Sequence, residues 1–284
     1  MERDIEAFLK YLSSTKGCSS NTVAAYRNDL SQLETYLESG RSSSSTGHSL
    51  DELLKGYLID LRGKGYSMAT AARKVASAKS FFRYLVETGK IKENPLRNLV
   101  SPQVAKRPPR YLTVADYRRL VAEPARLNTP EARRDVVMLE LLYATGLRAS
   151  ELISLDVDDL DASNNCIHCG RGTSRRRVAL NGYARDLVAD FVTNGRLDLL
   201  CNEKEKALFL NRRGGRLTRQ GFWQIIKNYA SRAGLGDKVT PQTLRHTYAA
   251  RRMQGGADIR SLQQDLGHAF LSSTRIYRTQ PRQG

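Results

Sequence analysis

Residues 144–152 read Ala144-Thr145-Gly146-Leu147-Arg148-Ala149-Ser150-Glu151-Leu152 and come shortly after an apolar run at residues 136–142. Thr129-Pro130 is typical of a helix start, because the N–H that proline lacks has no hydrogen-bond partner within the helix at the first position. Glycine is a natural helix stop, so the pattern predicts a buried helix that ends at Thr145-Gly146. Arg148 then begins a short helix, where free backbone N–H groups favour an anion.

Two later stretches suit phosphate chemistry in the same way. The first is Thr243-Leu244-Arg245-His246, which follows the helix start Thr240-Pro241. The second is Leu266-Gly267-His268, and its histidine lies nine residues before Tyr277. Arginine grips two phosphate oxygens with its planar fork. A tyrosine hydroxyl can form a covalent phosphotyrosine and so divide a hard step into two easier ones. The set predicts that a tyrosine attacks a DNA phosphodiester held by arginines.

On these motifs the sequence resembles the tyrosine recombinases of the phage integrase family, in a layout similar to that of the Xer-type enzymes. The resemblance covers nearly the whole chain and is most specific from Thr145 to Tyr277. It implies site-specific recombination through a 3′-phosphotyrosine and religation without ATP, in integration, excision, or resolution of dimers or cointegrates. The implied partners are double-stranded DNA and a homotetramer on that DNA, or a paralogous recombinase. No cofactor or metal is expected, because arginines supply the charge.

The resemblance also assigns roles to individual residues. Arg148 and Arg245 match the two arginines that clamp the scissile phosphate, and Glu151 matches an acidic residue that supports the site. Tyr277 matches the nucleophile. A tyrosine with a pKa near 10 needs help with deprotonation, and His268 is the candidate base.

Two positions depart from the family pattern. Gln242 shares a helix face with Arg245 and stands where the family usually has histidine; it can donate a hydrogen bond but cannot carry a proton. Arg171 falls where the family has a lysine that acts as general acid, and arginine is a poor proton donor. Arg171 is therefore expected to stabilise the leaving oxygen by its charge. His246 is expected to point elsewhere on the helix and to serve in packing.

Two rival functions remain open on the sequence alone. One is a type IB topoisomerase-like enzyme, which the Xer-like helical N-terminal region opposes. The other is a catalytically weakened DNA-binding accessory protein, which Gln242 and the missing lysine favour. The retained catalytic residues oppose it, namely Arg148, Arg245, His268 and Tyr277. The segment after Tyr277 is short and contains Pro281, so it is not expected to form the docking helix of the Xer pattern.

The predicted fold class is mainly α. Apolar spacing and turn residues predict four helices and no strand in residues 1–93, a helical core-binding domain, and a proline-containing linker in residues 94–111. Residues 112–284 are expected to form an α-rich catalytic domain with a small β-sheet of two strands, at residues 166–170 and 176–180. The resemblance implies that the two domains clamp the duplex from opposite faces.

The net charge of +17 indicates a polyanionic partner. Residues 106–284 carry 31 Lys and Arg against 18 Asp and Glu, whereas residues 1–105 carry 15 against 11. The excess thus accompanies the predicted chemistry, as phosphate binding requires. The candidate DNA contacts are Lys106, Arg107, Arg175, Arg176 and Arg177.

Other functional classes find little support. No stretch approaches the roughly 20 apolar residues of a membrane span, and the acidic N-terminus is unlike a signal peptide. Cys166-Ile167-His168-Cys169 resembles half a zinc site, but alternating strand residues explain it better. Cysteines without an expected disulfide and a DNA substrate indicate a cytoplasmic location.

Overall fold

The structure, a computed structural model, describes residues 1–42, 50–100, 102, 108–170, 172 and 175–278. The chain forms two compact units, Met1–Lys106 and Arg107–Gly284. The first unit extends beyond the predicted boundary at residue 93, because Leu96 is buried in its core. Asn94 donates from Nδ2 to the Lys79 carbonyl at 3.4 Å, and Lys79 donates to the Leu99 carbonyl. These contacts fix the start of the predicted linker against the last helix of this unit.

The first unit is helical throughout its described part, with α1 at Glu2–Ser14, α2 at Ser20–Ser42, α3 at Leu50–Gly63 and α4 at Met68–Glu87. Its core is formed by apolar side chains that recur at helical spacing, among them Phe8, Leu30, Leu33, Leu54 and Phe81. The mainly helical class predicted from the sequence is confirmed.

The second unit carries seven α-helices in its described residues. They are α5 (Val114–Ala125), α6 (Pro130–Thr145), α7 (Ala149–Ser154), α8 (Gly182–Asp190), α9 (Arg219–Arg232), α10 (Pro241–Gln254) and α11 (Ile259–Leu266). Six of these seven helices begin after a residue whose side chain caps the first turn, at Thr113, Thr129, Asn181, Thr218, Thr240 and Asp258. These caps accept hydrogen bonds from otherwise unpaired N–H groups of the first turn.

A small antiparallel sheet has the strand order β1 (Leu160–Asp161), β2 (Cys166–Cys169), β3 (Arg176–Ala179). The two predicted strands are present, and the two-residue β1 is an addition, too short to show an alternating pattern. Cys169 pairs with Arg176 across the hairpin. Because side chains alternate along a strand, Arg176 shares a face with the buried Val178.

The helix α6 crosses the core of this unit and leads to the candidate site. Five of its apolar side chains are at most 3% exposed: Val137, Met138, Leu139, Leu141 and Leu142. The buried helix predicted between Thr129-Pro130 and Gly146 is confirmed. No helix among the described residues is long and apolar enough to cross a membrane.

Candidate active site

Arg148 lies at the start of α7, just after the end of α6. The α6 helix ends at Gly146, whose φ of 63° is a left-handed conformation that glycine adopts without strain. The Arg148 guanidinium donates from Nη1 to Glu151 Oε1 at 2.9 Å and from Nη2 to the Gly267 carbonyl at 2.7 Å. The group is therefore held on two sides, while 42% of the side chain remains exposed.

Arg245 lies on α10 and is almost fully buried. It donates from Nη1 to the Gly146 carbonyl at 2.6 Å and from Nη2 to the Leu266 carbonyl at 2.5 Å. Burial, together with the charge of Arg148, lowers the pKa of Arg245 to about 10. Arg245 thus remains a cation at neutral pH, held rigidly at the junction of α6 and α11.

Glu151 lies between three arginines that come from three different elements. Its Oε2 accepts from the Arg148 backbone N–H at 2.7 Å and from Arg176 Nη2 at 2.9 Å, and lies 4.0 Å from Arg245 Nη1. Three guanidinium groups against one carboxylate leave a net charge of +2 in this cluster. Such a surplus, fixed before a ligand arrives, suits the oxygens of a phosphate.

Arg176 completes the cluster from β3. It donates from Nη1 to the Asp265 carbonyl at 2.9 Å, and its buried Nε has no hydrogen-bond partner among the described residues. A Cβ added to Gly267 would lie 2.5 Å from that Nε, so glycine is needed there for space as well as for its φ of 60°. The expectation of a DNA contact therefore does not fit Arg176. The sequence did indicate that the Arg176 side chain points inward, because Arg176 and the apolar Val178 are two residues apart on one strand.

An open cleft of about 380 Å³ lies over these groups. Four of the predicted catalytic residues line it, namely Arg148, Gln242, Arg245 and His268, and they share it with Ser150, Arg219 and Trp223. Trp223 is 47% exposed, an unusual position for a large aromatic side chain. Sequence reasoning missed Arg219 and Trp223, because nothing in their local sequence distinguishes them from an ordinary helix start.

His268 follows Gly267 at the end of α11 and faces the arginine cluster. Its Nδ1 lies 3.0 Å from Thr274 Oγ1, and its carbonyl accepts from Gln263 Nε2 at 3.0 Å. Burial and then the charges of Arg245, Arg148 and Arg176 lower the pKa of His268 to about 4. The imidazole is therefore neutral at pH 7 and able to accept a proton or a hydrogen bond.

Tyr277 lies on a short 3₁₀ turn, Arg275–Tyr277, near the end of the described chain. Its side chain is buried, with 2% of the residue exposed, and burial raises the pKa of its hydroxyl to about 12. Tyr277 Oη lies 2.5 Å from Nδ1 of His246. The nucleophile predicted from the sequence is therefore sheltered, and its hydroxyl contacts His246 rather than His268.

His246, interpreted from the sequence as a packing residue, packs against the Tyr277 ring with ring centroids 5.6 Å apart, and its Nδ1 also contacts the Tyr277 hydroxyl, which the sequence did not predict. Residues four apart lie one above the other on a helix, so His246 stands one turn after Gln242 on the same face. Burial and the charge of Arg245 lower the pKa of His246 to about 4. The spacing was available in the sequence, whereas the contact with Tyr277, 31 residues away, depends on the tertiary fold.

Both units match known sequence families. Residues 110–283 match the model of the phage integrase family, and residues 5–89 match that of the phage integrase N-terminal SAM-like domain. The chain belongs to the phage integrase family. It is a tyrosine recombinase, as its relatives are: it is 43% identical to the tyrosine recombinase XerC of Herpetosiphon aurantiacus over 98% of this chain and 90% of that protein. It is 37% identical to the tyrosine recombinase XerD of Listeria innocua, over 96% of this chain and 92% of that protein.

Solved structures show the same fold as this tyrosine recombinase. A post-cleavage complex of the recombinase XerH with its difH substrate has a TM-score of 0.74 at 22% identity, over 97% of this chain and 90% of that one. The Tn1549 transposon integrase bound to transposon right-end DNA has a TM-score of 0.77 at 19% identity, over 98% and 95%.

The β2–β3 hairpin of this tyrosine recombinase carries several predicted contacts. Arg175 and Arg177 are exposed and stay predicted DNA contacts. Arg171, the predicted replacement for the family's lysine, lies outside the described residues, as do Lys106 and Arg107.

The cysteine motif lies on β2 of the same hairpin. Asp161, Cys166 and His168 each bring one ligand atom within 4.8 Å of the others, but Cys169 is buried in the core of the unit. The Cys166/Cys169 half-site considered from the sequence therefore divides between the two faces of the strand, as strand alternation predicts.

Proposed function

We propose that this recombinase cleaves and rejoins duplex DNA at a specific site, with Tyr277 as the nucleophile that forms a 3′-phosphotyrosine. The observation that carries the proposal is the convergence of Arg148, Arg245 and His268 on one cleft, with Tyr277 on the segment that follows His268. This order of groups provides charge for a phosphodiester, a neutral imidazole and a nucleophile within one unit of the fold.

The arginines bind the scissile phosphate in this mechanism. Arg245 is already held by two backbone carbonyls, and Arg148 by Glu151 and the Gly267 carbonyl. Their directions are fixed before the DNA arrives, so little reorganisation is needed as negative charge grows on the non-bridging oxygens. Gln242, exposed at the rim of the cleft, adds an amide donor but no proton.

The buried side chain of Tyr277 does not line the cleft in the free protein, so the hydroxyl and the His246 ring that contacts it have to approach the scissile phosphate together before attack. Its oxygen then forms the bond to phosphorus while the bond to the 5′-oxygen breaks. Arg171 stabilises that leaving oxygen by charge, and water supplies the proton that arginine cannot. The energy of the broken bond is kept in the phosphotyrosine, which a 5′-hydroxyl attacks to rejoin the strand.

The partners follow from the relatives. The recombinase XerH and the Tn1549 integrase are solved on DNA, and recombination exchanges strands between two duplexes. Four protomers on two sites, identical or contributed with a paralogous recombinase, therefore form the active assembly. The biological role is resolution or integration of DNA in the cytoplasm, with exposed Arg175 and Arg177 among the backbone contacts.

A covalent trap tests this function. Duplexes of randomised sequence, each nicked so that the cleaved 5′-hydroxyl fragment diffuses away, are incubated with the protein, and denaturing gels identify DNA attached to it. We expect adducts enriched in one sequence, which then serves as the substrate. Tyr277→Phe should bind this substrate with unchanged affinity and form no adduct, since it lacks the attacking oxygen. An adduct of equal yield with Tyr277→Phe would exclude Tyr277 as the nucleophile.

A further inference from the structure

The hydroxyl of Tyr277 has one hydrogen-bond partner among the described residues, and that partner is a histidine. His246 Nδ1 lies 2.5 Å from Tyr277 Oη, with both groups largely withdrawn from solvent. The contact joins α10, which also carries the phosphate-clamping Arg245, to the 3₁₀ turn of the nucleophile. We propose that His246 is the general base that takes the proton from Tyr277 in the cleavage step. The proposal rests on the function argued above and adds a catalytic residue to it.

The alternatives to His246 are poorly placed or chemically unsuited. Gln242, one helical turn earlier on the same face, offers only an amide. His268 directs its Nδ1 to Thr274 Oγ1 at 3.0 Å. A general base has to be within about 2.6–3.2 Å of the proton it removes, and among the described histidines only His246 is in contact with that hydroxyl.

The surroundings of His246 keep its ring unprotonated, so that the ring nitrogen is free to take a proton, although in the absence of DNA they also weaken it as a base. The charged and titratable groups that act on it are Arg245 on its own helix, Tyr277 on the 3₁₀ turn and His268 after α11. Burial and Arg245 hold the pKa of His246 at about 4, so its ring is neutral at pH 7. The bound phosphodiester brings a negative charge next to Arg245, which makes a protonated His246 easier to form during the reaction.

Cleavage transfers one proton from Tyr277 and exchanges one bond at phosphorus for another. The Tyr277 oxygen forms the bond to phosphorus, its proton passes to Nδ1 of a His246 ring that carries its own proton on Nε2, and the bond from phosphorus to the 5′-oxygen breaks. The leaving oxygen takes a proton from water, and His246 later returns its proton to solvent or, in religation, to the departing Tyr277 oxygen. Religation is the same path in reverse, so His246 then acts as the acid.

The nucleophile's acidity provides the test. Single-turnover cleavage of the selected nicked duplex is measured at saturating protein for unaltered protein and for His246→Gln, with tyrosine or difluorotyrosine at position 277. Loss of a general base slows the tyrosine reaction by about 100-fold or more. The hydroxyl of difluorotyrosine is more acidic and depends less on a base to lose its proton. With difluorotyrosine at position 277, His246→Gln should therefore slow cleavage by less than about tenfold. His168→Gln, which changes a histidine outside the cleft, is the matched control and should cleave as the unaltered protein does.

Each other result overturns the proposal. If His246→Gln cleaves at the unaltered rate, another group is the base. If it cleaves faster than the unaltered protein, the contact between His246 and Tyr277 only restrains the nucleophile. An equal defect with both nucleophiles marks a structural role. If His246→Gln does not fold, the tautomer of His246 in the unaltered protein decides whether it can be the base. The ¹⁵N chemical shifts of labelled histidine identify the tautomer. A proton on Nδ1 would make His246 a donor to the Tyr277 hydroxyl and exclude it as the base. Unaltered protein that traps no duplex at all instead refutes the proposed function.

Discussion

At the scale of single residues, Glu151 determines how the positive charge of the site is arranged. Its two oxygens hold Arg148 and Arg176 directly and lie near Arg245. An arginine in such a cluster can act on the phosphate itself or through its neighbours, and substitutions separate the two cases.

Arg148→Ala or Arg245→Ala should slow cleavage far more than it weakens binding. Each removes a preorganised charge from the transition state, a loss of about 3 kcal/mol or roughly 100-fold to 1,000-fold in rate. DNA affinity should fall only a few-fold, because many other basic residues share the phosphate contacts. Single-turnover trapping and titrations at fixed salt measure the two effects. Similar losses in both would mark these arginines as ordinary DNA contacts.

Arg176→Gln should lower the cleavage rate at saturating protein by about tenfold or more, because Glu151 loses one of its partners and no longer fixes Arg148. Arg177→Gln, the exposed neighbour on the same strand, is the matched control. It should weaken DNA binding and reduce the number of counterions released on binding, read from the salt dependence of the affinity, by about one. The cleavage rate at saturating protein should be unchanged. If the two variants behaved alike, Arg176 would be a surface contact after all.

At the scale of elements, the left-handed end of α6 sets the position of the whole cluster. The Gly146 carbonyl binds Arg245, and the chain then turns to present Arg148 two residues later. A Cβ at Gly146 would lie 2.4 Å from Cδ1 of Tyr248. The turn therefore requires glycine both for its backbone conformation and for the close approach of α10.

Gly146→Ala should lower both stability and cleavage. Gly89→Ala is the control, because Gly89 has a φ of 71° but open space at its Cβ position. It should cost about 1–2 kcal/mol in unfolding free energy and leave cleavage unchanged. Gly146→Ala should cost about 1–3 kcal/mol more, since Tyr248 must move, and slow cleavage about tenfold. Denaturant unfolding and trapping measure both. Equal behaviour of the two variants would mean that the cleft tolerates the displacement.

The sequence predicted elements better than contacts. Caps such as Thr113 and Asp258 are local signals, since the capping side chain and the N–H groups it accepts from are within three residues. The strand β1 has two residues and so no period to detect. The direction of Arg176 was hidden within three consecutive arginines, although its spacing from Val178 indicated it. The contact of His246 with Tyr277 arises only when α10 and the 3₁₀ turn pack together.

At the scale of the whole molecule, the described groups with the clearest proton linkage near neutral pH belong to the second unit. His246 and His268 both have a pKa of about 4 in the folded protein, against 6.5 for an unhindered histidine. As pH falls from 6.5 toward 4, the unfolded chain binds protons that the folded unit does not. Stability is therefore full above pH 6.5 and declines as the solution is acidified through this window.

The expected loss at pH 5 is about 2 kcal/mol in total, after allowance for partial exposure of both rings. Thermal or denaturant unfolding at pH 7 and pH 5 measures it, followed by a probe in the second unit such as Trp223 fluorescence. The His246→Gln, His268→Gln double variant should lose this pH dependence, whereas His168→Gln should keep it. A midpoint that does not change between the two pH values would contradict the assignment of two neutral buried histidines.

The shelter around Tyr277 also governs how the protein can be labelled. Nitrating reagents attack accessible phenol rings, and Tyr277 is 2% exposed, whereas Tyr183 is 62% exposed. A brief treatment of the free protein therefore modifies Tyr183 and leaves the nucleophile intact. Surface tyrosines can in this way carry a spectroscopic reporter for assembly on DNA, on molecules that still retain the oxygen needed for cleavage.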